Sequence, residues 1–169
     1  MALHFLTSTN QTKEVVVTCD PSVNGTEEQQ REYINTGDLS KLDIKKDATR
    51  FILKPLGPAE REKAEIRAGA FSRSELGRLL WIEAPNDSKD KARWHHKLDI
   101  DEREALGSYE SYISRVYLEM IRESLVSIDG KEASIESIQK IRPDSFRLST
   151  ITELVLHIQR MSLIGDEGK

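Results

Sequence analysis

The chain has 169 residues and a single cysteine, Cys19. One thiol excludes an internal disulfide framework and leaves cysteine-rich zinc ribbons without ligands. Cys19 reads as a small apolar side chain at the end of a strand. Long apolar runs are scarce as well. No segment approaches the ~20 apolar residues that a membrane helix needs. The stretch "MALHFLTSTNQTKEVVV" has neither the charged leader nor the apolar block of a signal peptide. A protein made and kept in the cytoplasm is the expectation, with no membrane partner. Basic blocks are missing too. The net charge is −4, and Lys45-Lys46 is followed at once by Asp47. The electrostatic footprint of a nucleic-acid binder is therefore absent. No G-x-x-x-x-G-K-[ST], G-x-G-x-x-G or G-x-S-x-G motif occurs.

What remains is a wet but foldable composition, 37% apolar and 32% charged. Residues 1–50 read as strand and loop. "KEVVVTCD" carries three consecutive valines, and β-branched runs favour strands. "TRFILKPL" is the second strand candidate, and residues 13–18 pair with 50–55 antiparallel in the simplest picture. The connection between them exceeds the usual loop length. It is either a partner-binding element or the site of an unrecognised helix, with Glu27 to Tyr33 as the candidate for one or two helical turns.

From Pro58 onward the pattern is helical. Proline suits the first helical turn, and this helix should end near Gly69. Ser72 with Glu75 forms a capping box for a second helix, with Leu76, Leu79, Leu80 and Trp81 as its apolar stripe and Pro85-Asn86-Asp87 as its stop. The next is the clearest. Asp101 is its cap, and Leu106, Tyr109, Ile113, Val116, Tyr117, Met120, Ile121 and Leu125 recur at threes and fours. Asp129-Gly130 is a turn. Ser134 caps a short helix with Ile135, Ile138 and Ile141 on one side. Pro143 opens the last helix, striped by Leu148, Ile151, Leu154, Val155, Ile158 and Met161.

Chemistry-bearing residues are plentiful but unorganised. "RWHHKLDIDERE" places Trp94, His95, His96 and Asp99 close together. Neighbouring histidines project about 100° apart on a helix, and His95 with Asp99 gives a two-ligand start lacking a third. Trp94 reads as a loop anchor in the core, with both histidines on the surface. A small cytoplasmic enzyme or metal-dependent regulator using His95, His96 and Asp99 is the alternative reading. His4 and His157 stand alone. The carboxylate pairs lie in polar runs, whereas acid/base work needs a carboxyl in an apolar pocket. No catalytic, cofactor-binding or metal site is predicted, and no cofactor.

"DATRFILKPLGPAEREKAE" resembles the opening of small tailed-bacteriophage proteins of the tail-assembly gene region, the tail assembly chaperones, which run from a T-x-F-x-L-x-P-L strand into an acidic helix. "LVSIDGKEASIESIQKIRPDSFRLSTITELVLHIQRMSLIGDEGK" resembles their ending: a Leu-Val pair, an Asp-Gly turn, a short capped helix, a proline-started helix and an acidic tail. Residues 71–105 carry no such likeness. Asp-Ser-Phe-Arg follows Pro143 where more Val, Leu and Glu are usual, and the first 50 residues are longer and more polar than in that family. The resemblance implies a non-catalytic role in phage morphogenesis, as a chaperone-like factor or a minor virion component. It also implies other phage structural proteins (tail or head-tail) as partners, with room for a homo-oligomer. The location would be the host cytoplasm during assembly, or the virion.

The expected fold is α+β and mostly α: an N-terminal β element with an extended arm over 1–56, then a helical body over 57–169 folding as one unit. The arm should dock partners through spread-out contacts, with Val15, Val16 and Val17 adding a strand to a partner's sheet. Tyr33 and Trp94 complete the candidate contact set. On that reading, residues 1–45 can be deleted without unfolding the helical body.

Overall fold

The structure, a computed structural model, describes residues 11–69 and 75–164. His4, the Ser72 cap and the acidic tail lie outside them. The fold is α+β and mostly α, and it divides into two compact units, Met1–Glu62 with Met120–Lys169 and Lys63–Glu119.

The first unit is built on a four-stranded antiparallel sheet of order β1-β4-β5-β6. β1 (Lys13–Val15) pairs with β4 (Phe51–Leu53) in the register Lys13↔Leu53 and Val15↔Phe51, the pairing read from the sequence. β5 (Leu125–Ile128) lies antiparallel to the other side of β4, with an irregularity between Ile52 and Leu53. Leu125 therefore opens a strand and does not close a helical stripe. Asp129 and Gly130, both at positive φ, make the two-residue turn to β6 (Lys131–Glu132). That left-handed pair suits the right-handed twist of a hairpin.

Between β1 and β4 the long connection holds a helix. α1 (Glu27–Thr36) starts at Thr26, whose hydroxyl accepts from Gln29 N while the Gln29 side chain accepts from Thr26 N. It ends at Gly37 in the left-handed conformation. The strands β2 (Val23–Asn24) and β3 (Asp43–Ile44) pair on either side of it in sequence. Val16, Val23, Tyr33, Leu42 and Ala48 form one buried cluster. From residue 11 on, the N-terminal segment is thus no free arm: it belongs to the same compact unit as the C-terminal segment, and Ile34, Leu39 and Ile44 pack partly buried against that cluster. α6 (Ile135–Gln139) buries Ile135 and Ile138. α7 (Asp144–Ile164) buries Ile151, Leu154, Val155, Ile158 and Met161, while Leu148 stays exposed.

The second unit is helical. α2 (Pro58–Ala68) reaches into it and is followed by Gly69 at positive φ. α3 (Glu75–Glu83) buries Gly77 and Leu80 and exposes Leu76 and Leu79, so the expected stripe is displaced by one position. The reason is Gly77: its missing side chain lets the helix backbone approach Ala105, whose carbonyl oxygen a Cβ there would strike. α4 (Ser88–Lys97) is a helix where the sequence suggests a loop around Trp94. Asp87, taken as a stop, also starts it, its Oδ1 accepting from Lys89 N and Asp90 N at 2.9 and 3.1 Å. α5 (Ile100–Ser124) is capped by Asp99 with Glu102, two residues before the expected Asp101. Leu80, Leu98 and Leu106 pack with Trp81 and Trp94. Tyr112 is buried on α5 where the stripe placed Tyr109 and Ile113, which are half-buried.

Two outcomes are expected. Deleting residues 1–45 removes, among the described residues, six buried apolar side chains, Val15, Val16, Val17, Val23, Tyr33 and Leu42. At roughly 1.5–3 kcal/mol each this approaches the whole stability of a domain, about 5–15 kcal/mol. The truncated chain should show no cooperative melting of the sheet. A native-like melt would restore the dispensable arm. Gly77→Ala should destabilise the second unit by about 1–3 kcal/mol through overpacking, despite the ~1 kcal/mol propensity gain. A raised melting temperature would refute the close approach.

Candidate functional site

The densest set of buried polar groups lies along α7. Thr150, Glu153, His157 and Arg160 recur at three- and four-residue steps, beside the apolar row Ile151, Leu154, Ile158 and Met161. Both rows are turned inward, so more than half the helix circumference is covered. Each polar member meets a group from the N-terminal third of the chain.

Glu153 is 6% exposed. Both its carboxylate oxygens accept from Thr18 N–H, at 2.8 and 2.9 Å, and Oε2 also accepts from the Thr18 hydroxyl at 2.8 Å. A buried carboxylate is tolerable only when so satisfied. One turn on, His157 is fully buried with its ring 5.0 Å from that of Tyr33. Arg160 Nη1 donates to the carbonyls of Tyr33 (3.3 Å) and Ile34 (2.7 Å) and contacts His157 Nδ1 at 2.8 Å. Those carbonyls belong to the last turn of α1, where a cation is favoured; the Tyr33 carbonyl also accepts from Gly37 N–H at 2.6 Å. Gly37 matters here for a second reason: a Cβ on it would collide with the Arg160 guanidinium. Burial holds the Arg160 pKa below its ordinary value.

Tyr33 completes the set. Its hydroxyl accepts from Val16 N–H and donates to Val16 C=O, both at 3.0 Å. That double exchange is what a neighbouring antiparallel strand would offer. Burial pushes the Tyr33 phenol up to about 12, so it stays a donor. Beyond β1 the outward backbone groups of Val16 and Thr18 are thus closed by side chains, which is how edge strands are protected from pairing.

Cys19 lies half-buried with Sγ 3.7 Å from the Thr150 hydroxyl. Burial raises its pKa, and the Glu153 charge adds to the rise. A thiol kept protonated in this way is a poor nucleophile. Asp20 is used structurally, Oδ1 accepting from Ser22 N and Oδ2 from Thr49 N. A cleft of about 210 Å³ adjoins this region, lined by Val17, Asp20, Phe51, Ile141, Phe146 and Thr150 among others.

The sequence-predicted site residues divide sharply. Val15, Val16, Val17 and Tyr33 are at most 2% exposed. They are buried within the chain and not a free docking arm, Val16 and Tyr33 sharing one apolar cluster. Trp94 is half-buried in the second unit beside Leu80, Leu98 and Leu106, on a helix and not a loop. His95 and His96 are exposed in the last turn of α4. Asp99 is engaged as the cap of α5, its Oδ1 accepting from Glu102 N at 2.8 Å. Among the described residues no group of three or more His, Cys, Asp or Glu is placed to hold a metal ion, and no helix is long and apolar enough to cross a membrane. Sequence reasoning missed Glu153, Arg160 and the partnering of His157. Their three- and four-residue spacing, equal to that of the apolar row, was the available signal.

No protein-family model matches the chain, and no curated protein or solved structure shows significant similarity to it.

Tyr33→Phe keeps the ring and removes only the hydroxyl that serves Val16. It should cost about 1–3 kcal/mol, the penalty for leaving buried backbone groups unpaired, measured by urea unfolding. A loss under ~0.5 kcal/mol would mean that water reaches Val16 in its place.

Proposed function

We propose that the chain is a non-catalytic binding component of tailed-phage morphogenesis, holding other phage structural proteins either as a tail-assembly-chaperone-like factor or as a minor virion component. The observation that carries the binding role is on α3. Leu76, Leu79 and Ile82 recur every three residues and are 44%, 45% and 63% exposed, while Gly77 and Leu80 face inward. Three large aliphatic side chains on one exposed helix face form the kind of patch that marks association sites. The phage assignment rests on the segments 47–65 and 125–169. The absence of catalysis is supported by the α7 polar row, whose carboxylate and guanidinium bind backbone groups of the same chain. Contact through a prebuilt helix face replaces the N-terminal arm as the expected mode, since the arm's valines are already buried.

The test is co-purification of the tagged chain with phage tail and head-tail proteins, together with mass spectrometry of purified particles. The chain should recover at least one structural protein, and Leu79→Glu with Ile82→Glu should lose it while melting like the parent. Recovery unchanged in the double variant would move the contact elsewhere. Absence of any phage structural partner would overturn the assembly role.

A further inference from the structure

The geometry points to a latch: His157 holds α1 against α7 only while its Nδ1 carries no proton, so we propose that acidification releases α1 and the segment after β1 from α7. This goes beyond the assembly role and does not depend on it. Arg160 Nη1 lies 2.8 Å from Nδ1. A guanidinium nitrogen is donor only, so Nδ1 must be the acceptor and the ring is the Nε2–H tautomer. That N–H points toward Glu153, but at 3.6 Å, and among the described residues Nε2 has no hydrogen-bond partner. The carboxylate is turned instead to Thr18. The neutral ring therefore fits, and the protonated ring does not. A proton on Nδ1 would set an N–H against the Arg160 donor inside a fully buried site.

The charged and titratable groups facing the ring are Glu153 and Arg160 of its own helix and Tyr33 of α1. Cys19, from the segment after β1, lies against Thr150 and feels the same carboxylate. Glu153 would attract the imidazolium, yet it is already committed to two Thr18 donors. Arg160 would be repelled, and it is Arg160 that holds the Tyr33 and Ile34 carbonyls. Burial lowers the pKa of His157; the nearby Glu153 carboxylate, as a hydrogen-bond acceptor and as a charge, opposes this, and the Arg160 charge adds to the lowering, so the net direction is down. The released state, with an ordinary pKa near 6.5, gains the proton first. Docking is at full strength above about pH 6.5 and weakens as pH falls below it.

Amide hydrogen exchange on the full chain at pH 7.5 and 5.5, corrected for intrinsic rates, reads this directly. Protection at α1, Val16 and Thr18 should fall about tenfold, the limit for one proton one unit below its free pKa, while β4 and β5 change little. His157→Asn keeps an acceptor toward Arg160 and takes up no proton, so it should abolish the regional pH effect. Loss of protection spread evenly over the whole unit, or an unchanged regional effect in the variant, would overturn the latch. Should the variant not fold, the nitrogen chemical shifts of His157 in the parent still decide. Nε2–H at pH 7.5, with the regional loss in the parent, supports the latch; Nδ1–H at that pH refutes it.

Discussion

The first unit depends on one carboxylate and one guanidinium, both on α7, that bind backbone and not each other. Glu153 takes the Thr18 N–H, and Arg160 takes the Tyr33 and Ile34 carbonyls. These contacts sit two turns apart on the helix, with the His157 ring between them against Tyr33. A residue 7 positions along an α-helix lies about 10 Å further on at nearly the same face. The N-terminal segment is therefore pinned at three heights. Hydrogen bonds are directional where apolar contact is not, so the row fixes the axial position of α1 and of the segment after β1 as well as holding them close.

Why charged residues do this where leucines usually would follows from what the N-terminal segment offers. α1 presents one buried residue, Tyr33, and one partly buried apolar neighbour, Ile34, in an otherwise polar sequence. A helix so poor in apolar area gains little from burial at ~25 cal/mol per Å². Its carbonyl end and the unpaired groups of Val16 and Thr18 are the remaining attachment points, and only polar side chains can use them. The cost of desolvating Glu153 and Arg160 is offset by the hydrogen bonds of the carboxylate and of Arg160 Nη1, although the buried Arg160 Nε makes none among the described residues. Removing one partner is correspondingly severe, since the other would stay buried and unpaired.

Much of the helical part was legible, and for one reason. Where the inward face is carried by apolar residues, as over Leu106 to Ile121, a 3.6-residue period can be read directly. The β1–β4 pairing was legible from β-branched runs. Reading failed where burial was not apolar. Glu153, His157 and Arg160 carry the helical period but count as polar, so α7 looked amphipathic when it is covered on most sides. α3 failed in the opposite sense: a glycine, not a leucine, marks its closest contact, and the leucines beside it are exposed. α4 has no buried residue at all, so no stripe announces it, and in sequence its Asp87 cap is indistinguishable from the stop of the helix before it.

The polarity of the first 45 residues is what made them resemble a free arm, and composition is the wrong measure for that question. A segment stays disordered when it cannot bury enough apolar surface to offset its ordering entropy. The relevant surface need not be its own. Among the described residues of this segment, Val15, Val16, Val17, Val23, Tyr33 and Leu42 are buried and Ile34, Leu39 and Ile44 partly so, and Thr26, Asp38 and Asp20 satisfy local backbone groups. The polar residues between them end turns and cap helices, which lowers the number of conformations that folding must remove. A binding mode that spends ordering entropy on contact is then unavailable to this segment, because that entropy is lost on folding. A partner contact made through its buried valines or Tyr33 would instead have to break Tyr33–Val16 and Glu153–Thr18 first. An exposed face on an already ordered helix carries no such cost, and α3 presents one in Leu76, Leu79 and Ile82.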